Sequence, residues 1–517
     1  MMTMTKLLPA LLALPVFALA SPNGGPLGDF EAHGDVGAPK IAGYATYNAA
    51  SQAYTLSAGG VNIWAKRDEF QYAYRKMKGD FIIQAQAEWV GAGTDPHRKT
   101  GIMARSSLDF DSPYVDGALH GEGLVSMQSR KEKGGDTVQT EMPDAHGGMV
   151  IELERRGNTF IWSTAKFGEP LQQVTQENVD LPEELYVGLF LSSHNPDVKE
   201  TVIYRNVRVI KPVKVGFQPY RDYIGSRLET LNVMNGHRTQ IYSSRVPFEA
   251  PNWLPDGSAL LYNAGGGDPA RRGRLWRFDL GTRMSTLIDT GFAIRNNNDH
   301  VLSFDGKMLG ISDQSQDNNQ STIYTVPTSG GVPTRITPNT PSYMHSWTTD
   351  AKWLIYTGGR IPKGSKDNEF DIYKAAADGS GKEINLTNSP GLDDGPEVSP
   401  DGKWIYFNST RSGQMQIYRM GLDGKNVERV TCDPKWNDWF PHFSPDGKWI
   451  TIISYGLDVE ASNHPYYKHC MIRIMPTDGS APPKVIAYVY GGQGTINVPS
   501  WSPDGTHVAF VSNSDAL

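Results

Sequence analysis

Apolar and polar positions alternate in short stretches along most of the chain. In the first part, the stretches DFIIQAQAEWV (80–90), MVIELERRGNTFIWSTA (149–165) and ETVIYRNVRVI (200–210) combine this alternation with many β-branched residues. A period of two indicates strands buried on one face, and the polar segments between them indicate turns. The pattern predicts an antiparallel β-sandwich over residues 21–212.

A turn motif followed by a strand pattern recurs six times after residue 220. The six copies read LPDGSALLY, SFDGKMLGI, TTDAKWLIY, SPDGKWIYF, SPDGKWITI and SPDGTHVAF, with turn aspartates Asp256, Asp305, Asp350, Asp401, Asp446 and Asp504. The spacing between these aspartates, with several short strands in each interval, is typical of a β-propeller. The 54 glycines and 34 prolines also favour strands and turns. We therefore predict an all-β chain with a six-bladed propeller over residues 213–517.

The sixth repeat ends at Leu517 after two strands. The stretch RLETLNVMNGHRTQIYSS (227–244) has the character of the missing pair, so the ring is predicted to close by pairing its two ends, which leaves no open sheet edge. The third repeat has Ala351 where the others have glycine. Because glycine supplies positive φ at such turns, this turn is expected to take a different backbone shape.

Two family resemblances follow from these motifs. The stretches GGVNIWAKRDEFQYAYRKMKGDF and RKTGIMARSS resemble concanavalin-like jelly-roll domains of secreted proteins, which implies a glycan-binding or spacer domain. The PDG repeats resemble those of TolB-like six-bladed propellers, which carry WD40-like repeats. Propellers serve as scaffolds, lyases, hydrolases and binding modules, so the fold leaves the function open.

The N-terminus and the charge narrow the cellular context. Lys6, a following apolar run and Ala18-Leu19-Ala20 predict a signal peptide over residues 1–20, hence a secreted or periplasmic protein. No later apolar segment is long enough to span a membrane. The net charge of −7 without a long basic run argues against a nucleic-acid partner. Cys432 and Cys470 are the only cysteines, and an oxidising compartment would allow one bridge between them.

Blade topology separates the loops into two faces. The PDG turns share one face, whereas the long loops between second and third strands and the connections between blades share the other. Five of the seven propeller histidines fall on this long-loop face, where function is expected. Neutral imidazoles with carboxylates suit metal binding or acid–base chemistry, although histidines in tight loops also bond backbone groups.

The candidate site residues surround the predicted channel mouth. Candidates for catalysis are His300, Asp394, Glu397 and Arg411. Candidates for substrate binding are Asn298, Asp299, Asp393, Asp438 and Asn497. Candidates for metal binding are His345, His442 and His464, with Mn²⁺, Zn²⁺ or Ca²⁺ as the ion if one is bound.

These residues support two hypotheses of different class. The first is an exported carbohydrate-binding or carbohydrate-processing protein, with a glycan partner and metal-assisted cleavage by a lyase or hydrolase. A resemblance to oligogalacturonate lyases, which are propellers with a metal near the axis, adds to it. The alternative is a non-catalytic TolB-like scaffold that docks a protein on its long-loop face. The sequence leaves open whether the chain is an enzyme.

Overall fold

The computed structural model describes residues 27–218, 221–266, 270–362, 364–366 and 369–515. The predicted signal peptide lies outside these ranges. Within them the chain forms 39 strands and two 3-10 helices, at Pro143–Ala145 and Asp317–Asn319, neither of which could cross a bilayer. The prediction of an all-β chain is confirmed.

Sixteen strands precede residue 212. They are β1 (Ala32–Val36), β2 (Tyr44–Asn48), β3 (Ala53–Ala58), β4 (Ile63–Trp64), β5 (Arg67–Asp68), β6 (Phe70–Lys78), β7 (Phe81–Trp89), β8 (Lys99–Arg105), β9 (Tyr114–His120), β10 (Val125–Arg130), β11 (Val138–Glu141), β12 (Val150–Arg156), β13 (Thr159–Ala165), β14 (Gln172–Gln176), β15 (Glu184–Ser192) and β16 (Glu200–Ile210).

Fourteen of these strands build two seven-stranded antiparallel sheets. Their orders are β1-β6-β15-β8-β9-β10-β11 and β14-β13-β12-β7-β16-β3-β2. Alternate residues of both sheets, such as Ile83, Ile102, Leu189 and Val202, share one hydrophobic core. This alternation is the pattern that predicted strands, because one face of each strand is removed from water.

Twenty-three strands follow. They are β17 (Gly225–Asn232), β18 (Arg238–Ser244), β19 (Phe248–Trp253), β20 (Ala259–Ala264), β21 (Arg274–Asp279), β22 (Ser285–Leu287), β23 (Asn296–Leu302), β24 (Met308–Asp313), β25 (Thr322–Pro327), β26 (Thr334–Arg335), β27 (Ser342–Trp347), β28 (Trp353–Arg360), β29 (Glu369–Ala376), β30 (Glu383–Asn385), β31 (Asp393–Val398), β32 (Trp404–Ser409), β33 (Gln416–Gly421), β34 (Glu428–Arg429), β35 (Trp436–Phe443), β36 (Trp449–Gly456), β37 (Lys468–Pro476), β38 (Lys484–Gly491) and β39 (His507–Ser514).

These strands form a six-bladed propeller. Blades one to five are consecutive four-stranded antiparallel sheets, β19–β22, β23–β26, β27–β30, β31–β34 and β35–β38. In blade six, β39 pairs with β17, which pairs with β18, and Trp501 bridges to Val508 on the inner side. The C-terminal strand therefore closes the ring with the first strands of the repeat region, as predicted.

The turn aspartates are part of the scaffold. In blade five, Asp446 accepts hydrogen bonds from the hydroxyl of Ser444 (2.7 Å) and from the amide of Lys448 (3.1 Å). The expectation for the third repeat is wrong: Ala351 takes the left-handed conformation, with φ 55°, that Gly447 takes at φ 69°. The two hydrogen bonds of Asp350 there hold the same turn at the expense of some strain at Ala351.

The sandwich and the propeller are joined by a buried charge cluster. Glu229 on β17 accepts hydrogen bonds from Arg208 of the sandwich (2.5 and 3.0 Å) and from Arg238 on β18 (2.7 and 3.0 Å). These two arginines hold the pKa of Glu229 well below its ordinary value, although burial opposes them. Cys470 is buried and Cys432 is exposed, and both are free thiols.

Candidate binding site at the propeller mouth

A bulge in the inner strand shapes the long-loop end of each of the first five blades. Register shifts separate Glu249 from Asn252, Asn296 from His300, Met344 from Ser346, Asp394 from Glu397 and Trp439 from His442. A bulge re-aims the side chains beside it. The residue seven positions before the turn aspartate lies in or next to this bulge in the first five blades, and it is polar in three of them: Glu249, Asn298 and Asp394. Asn497 has the same offset in the sixth repeat.

Asp394 of blade four is the centre of one group. Its Oδ1 lies 3.3 Å from Nε2 of His345 in blade three and accepts a hydrogen bond from Thr357 (2.7 Å). Its Oδ2 lies 3.9 Å from Nε2 of His464 in the loop of blade five. Burial alone would raise the pKa of Asp394, but the hydrogen bond and charge of His345 lower it to about 2.

The two histidines respond differently to this carboxylate. Burial would lower the pKa of His345, but Asp394 and Asp299 raise it. Burial lowers the pKa of His464, and the charge of His345 acts in the same direction. The pKa values of the two imidazoles beside Asp394 are therefore shifted in opposite directions, upward at His345 and downward at His464.

Glu249 of blade one and Asp299 of blade two form the other side of the mouth. The amide of Asn298 lies 3.4 Å from Glu249, and the hydroxyl of Tyr466 lies 3.2 Å from it. Asp299 accepts a hydrogen bond from Asn297 (2.8 Å). In the described residues, neither carboxylate pairs with lysine or arginine. Burial accordingly raises the pKa of Glu249 to about 8 and that of Asp299 to about 6.

The loop of blade five crosses the mouth. Tyr466 contacts Glu249 in blade one, whereas His464 contacts Asp394 in blade four. The ring of His464 packs against Trp439 and Phe440, with centroids 4.5 and 5.3 Å apart. The carboxylates of the mouth are thus bordered by aromatic side chains.

His442 and Glu397 belong to a ring of bonds between blades. Both residues lie four positions before the turn aspartate of their repeat. The equivalent residues in blades one and three, Asn252 and Ser346, accept hydrogen bonds from inner-strand amides of the next blade. Glu397 likewise accepts a hydrogen bond from the amide of Phe443 (3.0 Å). The two ring nitrogens of His442 are bonded to Glu397 (2.6 Å) and to the carbonyl of Ile496 (2.8 Å). His442 is therefore held within the scaffold.

The other predicted residues are engaged separately. Arg411 pairs with Asp393 (2.9 and 3.0 Å) inside blade four. Asp438 is buried against Arg473 (2.5 Å) inside blade five. Asn497 accepts a hydrogen bond from Gly494 (2.6 Å).

His300 is fully buried. Burial lowers its pKa to about 4, and the carbonyls of Ala250, Leu261 and Asn298 lie close to it. Neither of its ring nitrogens makes a hydrogen bond of good geometry within the described residues.

The three predicted metal ligands do not come together. His345 and His464 share Asp394, but His442 is bonded elsewhere. In the described part of the chain, the groups of three donor atoms close enough for an ion are His97, His120 and Glu122, and Glu152, Glu154 and His469. Neither group lies at the mouth.

Glu249 and Tyr466 are mouth residues that sequence reasoning missed. A signal for Glu249 exists, because it lies seven residues before Asp256, the same offset as that of Asp394 from Asp401. Tyr466 lies in a loop without a counterpart in the other repeats, so the repeat pattern carries no signal for it.

Comparisons with known proteins identify the repeat region. The family model described as the TolB beta propeller domain matches residues 361–464. An uncharacterised protein of Agrobacterium fabrum (strain C58) is 43% identical over 287 residues, which are 55% of this chain and 92% of that protein. The chain belongs to the TolB-like β-propeller family.

One solved structure agrees with this assignment. A protein from Agrobacterium tumefaciens, provisionally described as TolB, is 42% identical with a TM-score of 0.51, covering 56% of this chain and 99% of its own. TolB from Acinetobacter baumannii is 21% identical with a TM-score of 0.40, covering 52% of this chain and 64% of its own.

The oligogalacturonate lyase likeness is weaker. A lyase in complex with manganese is 12% identical with a TM-score of 0.35, covering 59% of this chain and 98% of its own. A likeness at this level brings neither the reaction nor the metal to this chain.

Proposed function

We propose that this TolB-like protein is an exported binding module whose propeller mouth receives a positively charged segment of a partner protein. The observation that carries the proposal is the pair Glu249 and Asp299, two carboxylates that have no lysine or arginine partner in the described residues. A lysine or arginine side chain from outside would supply the missing cation.

The charges of the side chains at the mouth support the binding of a positively charged segment. Asp394 already faces His345, so the negative charge of one carboxylate is met from within the fold. Arg411, which the sequence predicted at the mouth, is paired with Asp393 and not with Glu249 or Asp299. The ring of Tyr466, which is half-buried beside Glu249, offers a face for the aliphatic stem of a lysine or for a guanidinium group.

The N-terminal region has a supporting role in this proposal. We interpret residues 21–212 as a concanavalin-like domain and residues 213–517 as the propeller. We further propose that the signal peptide predicted at residues 1–20 directs both out of the cytoplasm. The buried contact between Arg208 and Glu229 supports a fixed arrangement of the two domains.

A peptide selection tests the proposal. Random peptides displayed on phage are selected against the purified full chain, and the double variant Glu249→Gln, Asp299→Asn is selected in parallel. We expect enrichment of peptides with lysine or arginine on the wild type only. Glu428→Gln, an exposed change on the outer strand β34, is the matched control and should select the same peptides as the wild type.

Two results would contradict the proposal. One is a selection without basic enrichment, and the other is enrichment that persists in the double variant. A parallel screen of acidic and neutral glycans provides the comparison with the carbohydrate hypothesis. Glycan binding that is lost in the double variant would favour that hypothesis instead.

A further inference from the structure

Three histidines lie at one end of three neighbouring strands in the sandwich. Strands β15, β8 and β9 are adjacent, and Lys99 at the start of β8 pairs with Ser192 on one side and with His120 on the other. His97 comes two residues before Lys99, and His194 comes two residues after Ser192. The strand register therefore brings histidines that are distant in sequence to one edge.

Glu122 completes this group. One donor atom each of His97, His120 and Glu122 lies within 4.8 Å of the other two. Nδ1 of His97 is 3.3 Å from Oε1 of Glu122, and the ring centroids of His97 and His194 are 5.5 Å apart. The donor atoms of a tetrahedral Zn²⁺ ion with bonds of about 2.0–2.1 Å lie about 3.4 Å apart, so the separation between His97 and Glu122 already suits the ion.

The backbone around these side chains is fixed by hydrogen bonds. The amide of Gly121 donates to the carbonyl of Arg98 (2.9 Å), and the amide of Glu122 donates to that of Pro96 (2.9 Å). The amide of His97 donates to the carboxylate of Asp95 (2.8 Å). The two loops that carry the donors are thus tied to each other, which limits the ordering cost of binding an ion.

His120 has the free ring nitrogen that a metal ligand requires. It is 5% exposed, and its Nδ1 has no hydrogen-bond partner among the described residues. The hydroxyl of Ser126 lies 3.4 Å from its Nε2 and can orient the ring, as second partners of metal-binding histidines do.

His194 lies beside an acidic side chain. Its Nδ1 is 3.2 Å from Oδ1 of Asp95 but makes no hydrogen bond of good geometry within the described residues. Two or three imidazoles with one carboxylate suit Zn²⁺ and related divalent transition ions better than Ca²⁺ or Mg²⁺, which prefer oxygen ligands.

We propose that His97, His120 and Glu122 bind a divalent transition metal ion of the Zn²⁺ type at this edge of the sandwich, with His194 as the nearest fourth ligand. If His194 does not bind, the three remaining ligands would leave one position for water or for an oxygen of a bound molecule. The site is independent of the propeller mouth.

The second group of donor atoms is already engaged. His469 bonds to Glu152 (3.1 Å), which also accepts a hydrogen bond from Gln84 (2.6 Å). Glu154 is paired with Arg156 (2.6 Å). An ion there would have to displace these contacts, whereas Nδ1 of His120 has none to lose.

Calorimetric titration with ZnCl₂ tests the proposal on the full chain after treatment with a chelator. We expect one equivalent to bind, and His97→Ala and Glu122→Gln each to weaken binding by about tenfold or more. Both side chains are partly exposed, so the fold should survive, and thermal melting checks this. His33→Ala, on β1 of the same sheet, is the matched control and should bind as the wild type does.

Co²⁺ provides a second readout, because its visible absorption bands report histidine coordination. We expect these bands in the wild type and their loss in His97→Ala. The proposal is overturned if no Zn²⁺ binds, if binding persists unchanged in both His97→Ala and Glu122→Gln, or if binding is lost only in His469→Ala or His345→Ala.

Discussion

Nε2 of His345 in blade three lies 3.3 Å from Oδ1 of Asp394 in blade four. This contact divides the mouth of the propeller into two halves. On one side His345 meets the carboxylate of Asp394 directly, whereas on the other Glu249 and Asp299 pair with no lysine or arginine within the described residues. The unmatched half is where we expect a ligand to bind, because buried carboxylates without a cation are costly.

Removing His442 should destabilise the protein without changing the mouth. His442→Ala leaves Glu397 buried without its imidazole partner and frees the carbonyl of Ile496, so we expect the free energy of unfolding to fall by about 3 kcal/mol. Chemical denaturation measures the loss. His507→Ala, on the half-buried start of β39, should cost less than about 1 kcal/mol. Equal losses in the two variants would contradict the scaffold role.

Glu229 should be essential to the joint between the domains. Glu229→Gln leaves Arg208 and Arg238 buried without their shared carboxylate, so we expect a loss of about 3–5 kcal/mol. The matched control is Glu88→Gln, which breaks a more exposed pair with Arg205 and should cost less than about 1 kcal/mol. A small effect of Glu229→Gln in denaturation would show that the cluster contributes little.

The contact between His469 and Glu152 should make stability depend on pH. Burial alone would lower the pKa of His469, but Glu152 raises it to about 9, above the ordinary value of 6.5. Stabilisation by this group is therefore complete below pH 6.5 and is lost as pH rises towards 9. We expect His469→Gln to melt at a lower temperature than the wild type at pH 6 and at nearly the same temperature at pH 9.5. A difference that does not change with pH would contradict this.

Ala351 should be a position where glycine stabilises. The residue has φ 55°, and a left-handed conformation costs alanine more than glycine, so Ala351→Gly should raise the free energy of unfolding by about 0.5–1 kcal/mol. The reverse change, Gly447→Ala, has room for the methyl group, with the nearest atom of Pro400 3.8 Å away, and should lower it by a similar amount. Unchanged stability in both variants would refute the account of these turns.

Most of the propeller could be predicted from the regular recurrence of the turn motif. The six turn aspartates predicted the blades and the ring closure, because each aspartate accepts a hydrogen bond from the amide two residues on, and in five of the six turns also from a Ser or Thr hydroxyl. The turn at Ala351 was predicted wrongly, since a propensity for glycine is only a preference and the surrounding hydrogen bonds outweigh it.

The candidate site was harder to predict, because position on a face does not fix the partner of a side chain. His345 and His442 come from comparable places in their repeats, yet one faces Asp394 and the other bonds between blades. An offset of one residue in the inner strand, beside a bulge, separates the two roles. The histidine group of the sandwich depends on strand register between β15, β8 and β9, which alternation alone does not give.

The pH dependence of peptide binding tests the central claim most directly. Titration of a selected basic peptide into the full chain is followed from pH 5 to pH 9. Because cations bind the ionised carboxylates, and the pKa values of Asp299 and Glu249 are raised to about 6 and about 8, we predict that affinity increases with pH through both values. Glu249→Gln should remove the increase near pH 8. Affinity that is independent of pH, or that increases towards pH 5, would contradict the account.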